Sequence, residues 1–312
     1  MEKSQRIRQA RGTLLLVLTA FIWGTAFVAQ SVGMDHVGPF TFNGVRNLVA
    51  CVALSPVIFF FDFTRKKKNI VKPELQNKLY IKGGIICGVF LFAASSLQQI
   101  GIMYTTAGKA GFLTALYIVF VPVLGIFFRK KTGPVVWICV IIALAGAYLL
   151  SVKEGFSIAY SDIYLLICAV LFAWQIIFID KYAPLTDNVK LSFVQFLTTG
   201  IISTVIALIA ERPSLTAILA CAGPILYTAV MSSGVAYTLQ IVGQKDTPPA
   251  IASLVMSLES VFSALAGWVV LNEVLSPKET LGCVLVFAAV ILSQLPFNEI
   301  KEKLLSKAVG DR

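Results

Sequence analysis

Long apolar stretches are the feature that most limits what this chain can become. A helix needs about 20 apolar residues to cross a lipid bilayer. Hydrophobic residues make up 57% of the 312-residue sequence and charged residues only 13%, whereas soluble domains carry about 25% charged residues. We therefore predict an all-α integral membrane protein, embedded in the lipid bilayer, with ten transmembrane helices. They are expected at residues 12–34, 39–62, 79–103, 109–128, 134–152, 160–181, 189–210, 216–243, 248–271 and 278–296.

The distribution of basic residues predicts how these helices are oriented. The chain has 26 lysine and arginine residues and a net charge of +10. If the ten helices alternate in direction, 20 of these residues fall on one side of the membrane and four on the other. Because basic loops stay on the cytoplasmic side, we expect a cytoplasmic N-terminal segment at 1–11 and a cytoplasmic C-terminal tail at 297–312. The expected location is the cell membrane, as a multi-pass protein.

Other partner and cofactor classes find little support in the composition. Binding to nucleic acid favours one continuous basic face with aromatic residues among the cations, but here short clusters such as Arg65–Lys68 and Arg129–Lys131 separate apolar stretches. The six cysteines lie within apolar stretches without a CxxC spacing, and His36 is the only histidine. We therefore expect no nucleic-acid partner, no metal site, no cofactor and no catalytic set.

Two alignments of the chain with itself indicate an internal duplication. A shift of 149 residues lays Ala20–Gln30 on Ala169–Ile179 and places Arg46 opposite Gln195. Five helices per copy is an odd number, so the second copy must enter the membrane from the opposite side. We predict two inverted five-helix repeats, at 12–152 and 160–296, around a central cavity. A shift of 142 residues pairs seven residues with identical ones, namely Gln98, Gly101, Thr105, Ala110, Val119, Phe120 and Gly125.

Several motifs carry a family resemblance that extends over about residues 12–296. They are IWGTAF in the first predicted helix, Pro39 and Arg46 in the second, LYIVFVPVLG in the fourth, and SLESVFSALAGWVVLNEVLSPKETLG from the ninth to the tenth. Together they resemble the EamA family of the drug/metabolite transporter superfamily. The resemblance implies a five-plus-five inverted repeat with a central cavity, and movement of small metabolites such as amino acids, often outward.

One position departs from the family pattern. The family usually has Glu-Pro in the ninth helix, whereas Glu259 is followed by Ser260 in this chain. Because proline removes a backbone donor and kinks a helix, we expect the kink to be absent or softened here.

Glu259 is the main candidate for substrate recognition or coupling. It lies midway along the ninth predicted helix, where a charge facing lipid costs a few kcal/mol or more. It either faces a cavity, where it contacts a substrate amine or takes up a proton, or it pairs with a neighbour such as its own serines and only locks the helices together. Tyr117, its counterpart under the 142-residue shift, either supports this carboxyl group or serves ordinary packing.

Arg46 is the second deep charged residue. It lies seven residues into the second predicted helix, about 10 Å from that helix end. Its guanidinium group cannot lose its proton and offers five donors. It either fixes an anionic group of a substrate or anchors the outer rim by bonding loop carbonyls or Asp35.

Further polar and aromatic residues are candidates for a cavity or a gate. Gln98 and Gln240 are expected near opposite mouths of one pathway, either as gates or as interhelical hydrogen bonds. The aromatic candidates Trp23 and Trp174 would stack on a substrate or serve packing. The remaining cavity candidates are Gln175, Tyr237 and Ser257, followed by Gln99, Gln195, Ser95 and Ser96.

Together these features favour a secondary active transporter for small metabolites, amino acids or similar compounds, that exports them by alternating access. An uncoupled facilitator or exchanger is the main alternative. A membrane receptor needs neither a repeat nor a deep acid, and an intramembrane enzyme would gather several Asp, His or Glu residues at one depth.

Overall fold

The computed structural model describes residues 2–67, 74–105, 107–130, 132–151, 159–271 and 275–295. All regular elements in these ranges are helical. A 3₁₀ turn lies at Ala183–Leu185 and a π-helical segment at Thr228–Tyr237. The α-helices are α1 (Glu2–Met34), α2 (Pro39–Lys67), α3 (Glu74–Ile102), α4 (Ala107–Ala115), α5 (Tyr117–Phe127), α6 (Pro134–Ser151), α7 (Asp162–Tyr182), α8 (Asn188–Ala210), α9 (Leu215–Ala220), α10 (Ala222–Tyr227), α11 (Thr238–Gln244), α12 (Pro249–Met256), α13 (Leu258–Leu271) and α14 (Pro277–Gln294).

Nine helical stretches within the described ranges are long and apolar enough to cross a membrane. The all-helical prediction is confirmed for these ranges. The helix expected at 134–152 is present as α6, but its apolar part, Pro134–Leu150, is shorter than the other nine. Those nine are Ile7–Met34, Pro39–Arg65, Lys78–Ile102, Lys109–Phe127, Asp162–Leu185, Asn188–Ala210, Ala222–Gln244, Pro249–Ala266 and Pro277–Gln294.

Two of the expected helices are interrupted at corresponding places. The fourth is divided into α4 and α5 at Leu116, and the ninth into α12 and α13 at Ser257. Both residues have ψ near −11°, which is closer to 3₁₀ than to α-helical geometry (Leu116 −11°, Ser257 −12°). The backbone N–H of Ser260 accordingly donates to the carbonyl of Ser257 at 3.2 Å. The interruption next to Glu259 therefore forms with serine and not proline at position 260.

The eighth expected helix also departs from a single α-helix. It begins as α9 and α10, continues as the π-helical segment, and ends as α11. A π-helix shifts the side chains by about one position relative to an α-helix and is frequent at functional sites. Ser232 and Tyr237 lie in this segment, and both are buried.

The helices pack according to a rule that relates the two halves of the chain. Helix α1 packs against α12 and α13, and α7 packs against α4 and α5. Helix α3 packs against α8, and α2 packs against the π-helical segment. Helices α2 and α8 pack along each other, as do α6 and α14. The counterparts in the two halves are α1 and α7, α2 and α8, α3 and the π-helical segment, α4–α5 and α12–α13, and α6 and α14. If every helix is replaced by its counterpart, each contact named above becomes another contact named above or stays the same.

Polar contacts hold the two ends of the α2–α8 pair. At one end, called the His36 end, the Glu211 carboxylate accepts hydrogen bonds from the backbone N–H groups of Phe40 at 2.9 Å and Thr41 at 2.7 Å. These donors have no partner within α2, because they lie in its first turn. At the opposite end, called the Leu185 end, Asp187 caps the start of α8 and pairs with Arg65.

Helix α1 approaches α13 closely at Gly24. A Cβ atom at this position would lie 2.7 Å from the carbonyl oxygen of Glu259 and 2.8 Å from the backbone nitrogen of Ser263. These are backbone atoms and cannot rotate away, so only glycine allows this approach. The contact holds α1 against the first turn of α13, which carries Glu259.

We predict that Gly24→Ala lowers the free energy of unfolding by about 1–3 kcal/mol, the range for overpacked interiors. Gly111→Ala in α4 is the matched control, because a Cβ atom there meets no atom within 4 Å. That change should be neutral or slightly stabilising. Melting temperatures of both purified variants in detergent check the prediction, and equal values would contradict the close approach of α1 to α13.

Candidate functional site

A narrow cavity lies between the two halves, where α5 and α13 begin. The space left for the centre of a water molecule is about 30 Å³, and one water needs about 10–15 Å³ by this measure. The cavity is therefore wide enough for about two waters in this conformation. Its lining combines polar and aromatic side chains from both halves with one aliphatic residue, Ile176. The other lining residues are Trp23, Phe27, Gln30, Arg46, Gln98, Thr114, Tyr117, Phe172, Gln175, Ser232, Tyr237, Gln240 and Glu259.

Glu259 and Tyr117 meet in this cavity. The Tyr117 hydroxyl donates to Oε1 of Glu259 at 3.0 Å, and each residue is only 3% exposed. The neighbouring serines do not bond the carboxylate, because Ser257 Oγ donates to the Leu254 carbonyl and Ser260 Oγ to the Ser257 carbonyl. Tyr117 is the first residue of α5 and Glu259 the second of α13, so the two interruptions place this pair at the cavity.

Arg46 lies in the cavity wall and not at a solvated rim. Its side chain is 2% exposed, and Nη1 donates to Oε1 of Gln30 at 3.0 Å. The guanidinium carbon lies 5.8 Å from the centroid of the Phe42 ring. Within the described ranges no ion pair joins Arg46 to Asp35 or to another carboxylate, and its buried Nε lacks a hydrogen-bond partner.

Glutamine side chains form a second polar group in the cavity. Gln175 donates to Oε1 of Gln195 at 3.1 Å and accepts a weak bond from Gln240 at 3.5 Å. Gln98 donates to the Thr114 hydroxyl at 3.4 Å. Gln98 and Gln240, which were expected near opposite mouths, both line this one cavity. Their placement depends on tertiary packing, which cannot be predicted from the spacing of the two residues along the chain.

Six of the expected residues lie outside the cavity lining, namely Trp174, Ser257, Gln99, Gln195, Ser95 and Ser96. Trp174 packs instead against Phe90, Phe128 and Phe178, with ring centroids 5.8–6.0 Å apart. Ser257 bonds the backbone of its own helix. The 149-residue shift places Phe172 opposite Trp23, and Phe172 is the residue that the structure brings into the lining.

The remaining expected aromatic residues meet in the lining. The Trp23 ring packs against the Tyr237 ring at an interplanar angle of 57°, with ring centroids 4.6 Å apart, and its Nε1 donates to the Ser232 carbonyl at 3.4 Å. These contacts fix both rings at the cavity wall.

Sequence reasoning missed six lining residues. Phe27 and Gln30 follow Trp23 at spacings of four and seven, so helical periodicity alone would have placed them on the same face. The 149-residue shift pairs Phe27 with Ile176 and would have found that residue too. Ser232 had no such signal, because the π-helical segment changes the periodicity. The six are Phe27, Gln30, Thr114, Phe172, Ile176 and Ser232.

Comparison with known proteins gives the family. The EamA-like transporter family matches residues 10–152 and, in a second match, residues 159–295. The chain belongs to this family. An uncharacterised transporter of Archaeoglobus fulgidus is 31% identical over 300 residues, which cover 94% of this chain and 88% of the relative. The uncharacterised transporter YoaV of Bacillus subtilis is 22% identical, over 92% of this chain and 97% of its own length.

Two further comparisons agree on membrane location and on fold. The uncharacterised inner membrane transporter YedA of Escherichia coli is 24% identical over 87% of each chain. A solved crystal structure superposes with a TM-score of 0.72 at 16% identity, over 90% of this chain and 96% of that chain. This EamA-like protein is therefore a multi-pass membrane transporter, and its expected membership of the family is confirmed.

We predict that Tyr117→Phe in this EamA-like transporter lowers the free energy of unfolding by about 1–3 kcal/mol, because a buried carboxyl group loses its hydrogen-bond donor. Tyr104→Phe is the control, since Tyr104 is 64% exposed. Thermal unfolding of both variants in detergent measures the difference. A loss at Tyr117 no greater than at Tyr104 would show that the hydroxyl does not support Glu259.

Proposed function

We propose that this protein is a secondary active transporter that moves small metabolites, amino acids or similar compounds, out of the cell by alternating access. The observation that carries the proposal is the buried polar cavity between the two halves, with the Glu259 carboxyl group in its wall. A small molecule fits such a site if the halves repack around it to open one side and then the other. The energy would come from an ion gradient or from substrate exchange.

Four features support an inverted repeat of five helices. The family matches each half separately, and exchanging the halves preserves the packing partners. Helix α1 ends at Met34 beside the His36 end, and α7 ends at Tyr182 beside the Leu185 end. Because these are opposite ends of the α2–α8 pair, the first helices of the two halves run in opposite directions.

The fourth feature is the composition of the cavity lining. The 149-residue shift relates Trp23 to Phe172 and Phe27 to Ile176, and the 142-residue shift relates Gln98 to Gln240 and Tyr117 to Glu259. All eight residues line the cavity. This is the arrangement expected when a substrate site forms where two repeats meet.

We further propose that the His36 end faces the outside of the cell and that both termini are cytoplasmic. The Leu185 end carries Arg65, Lys130 and Lys190, which pair with acidic residues there. Basic residues favour the cytoplasmic side. Export would then carry a substrate from the Leu185 end to the His36 end.

Glu259 is our candidate for recognition of a substrate amine or for coupling to a proton. It has no cationic partner within the described ranges, and its observed partner is the Tyr117 hydroxyl. A carboxyl group in this position can hold a proton when the cavity is dry and release it, or bind an amine, when the cavity opens to water. An uncoupled facilitator or exchanger would use the same cavity without the proton.

We predict that Glu259→Gln lowers substrate flux into proteoliposomes driven by a pH gradient at least tenfold. The matched control is Asp246→Asn, which neutralises an exposed carboxylate between α11 and α12 and should keep the wild-type flux. The readout is the flux of each common amino acid, measured with and without an imposed pH gradient. Full flux in Glu259→Gln would contradict the assignment of Glu259, and wild-type flux that ignores the gradient would favour the uncoupled alternative.

A further inference from the structure

Arg46 is a buried cation with no anion beside it in the described part of the chain. Burying an unpaired charge is costly, and buried charges normally have a charged partner or a full set of hydrogen bonds. Among the residues that the structure describes, Arg46 donates a hydrogen bond only to the amide oxygen of Gln30, from Nη1. The Nε group is buried and unpartnered, and Nη2 has no acceptor among the described residues.

The unpartnered donors indicate on which side of the guanidinium group an anion would bind. Nε and Nη2 share one edge of the planar guanidinium group, and that edge matches the two oxygens of a carboxylate. Gln30 occupies the far side of the same group and holds it in place. Arg46 and Gln30 both line the cavity. Nε is enclosed in this conformation, so a carboxylate would reach this edge of the guanidinium group when the halves repack.

The corresponding position in the second half shows that packing alone does not require a charge. Under the 149-residue shift Arg46 corresponds to Gln195, whose Oε1 accepts a hydrogen bond from Gln175 while its buried Nε2 lacks a partner. The first half places a guanidinium group where the second half uses a neutral amide. A neutral amide can therefore occupy this place in a repeat, and the charge of Arg46 needs another explanation.

We propose that Arg46, supported by Gln30, is the carboxylate subsite of the cavity, so that the transported molecule is a small carboxylic acid or amino acid. This inference rests on the proposed transport function and specifies its substrate. A phosphate dianion would suit the site less well, because it would meet one cation and, in the same cavity, the acidic Glu259. The narrow space and the rings of Trp23, Phe27 and Phe172 favour a compact molecule with an apolar body.

The test compares matched ligands on the wild-type protein. The probes are the common amino acids, the carboxamide of each, and the acid of each without its amino group. Thermal shift in detergent measures binding, and counterflow in proteoliposomes measures transport. We expect at least one carboxylate to bind and be transported while its carboxamide binds about tenfold to hundredfold more weakly, the effect of losing hydrogen bonds to a charged group.

Variants then locate the effect at Arg46. Arg46→Gln, which introduces the residue found at the corresponding position of the second half, should weaken binding of the acid to the level of its carboxamide. Arg46→Lys should recover part of the affinity, since it keeps the charge without the planar donor edge. Arg212→Gln is the control, because Arg212 is exposed between α8 and α9 and should leave the discrimination unchanged.

The outcomes separate this inference from the proposed function. Transport with equal affinity for acids and carboxamides, or unchanged discrimination in Arg46→Gln, overturns the carboxylate subsite and leaves a transporter of another substrate class. Transport of other metabolites but of no carboxylate also overturns the carboxylate subsite and leaves the transport function standing. Absence of transport for every probe and for uncharged metabolites overturns both. The wild-type comparison stands even if Arg46→Gln does not fold.

Discussion

The structure depends on placing ionisable side chains inside a bundle whose helices are apolar enough to span a membrane. A carboxyl group or a guanidinium group facing hydrocarbon is costly, so both must lie where other polar groups surround them. The protein meets this constraint by enclosing Glu259 and Arg46 between two halves. Glu259 accepts a hydrogen bond from the Tyr117 hydroxyl, and Arg46 donates one to the amide oxygen of Gln30. A narrow polar cavity is the consequence, and it is the feature on which the proposed function rests.

The sequence was sufficient for the helical class, the family and the pair at the centre of the site. The lengths of the apolar stretches located the helices. The 142-residue shift placed Tyr117 opposite Glu259 from the sequence alone. The sequence did not predict the interruptions at Leu116 and Ser257, because neither position is a proline or a glycine. Residue type alone favours Trp174 at the cavity, whereas the 149-residue register favours Phe172, which is the residue in the lining.

The two halves contribute similar residues to the cavity but differ in where they place charge, and this combination suits transport. The matched pairs Trp23 with Phe172 and Gln98 with Gln240 give the two halves similar residues at the cavity. The charged groups break this symmetry, since Arg46 corresponds to the amide of Gln195 and Glu259 to the phenol of Tyr117. We infer that the similar residues allow movement of the halves, while the charges provide recognition and coupling.

The most direct test of this account concerns the opposite orientation of the halves. His36 and Leu185 correspond under the 149-residue shift, and both are exposed between the first two helices of their half. The native cysteines in the described ranges are buried or partly buried, so the unsubstituted chain is a suitable blank. With a membrane-impermeant maleimide on intact cells, His36→Cys should be labelled, and Leu185→Cys should be labelled only after permeabilisation. Labelling of both variants from the same side would contradict the inverted halves.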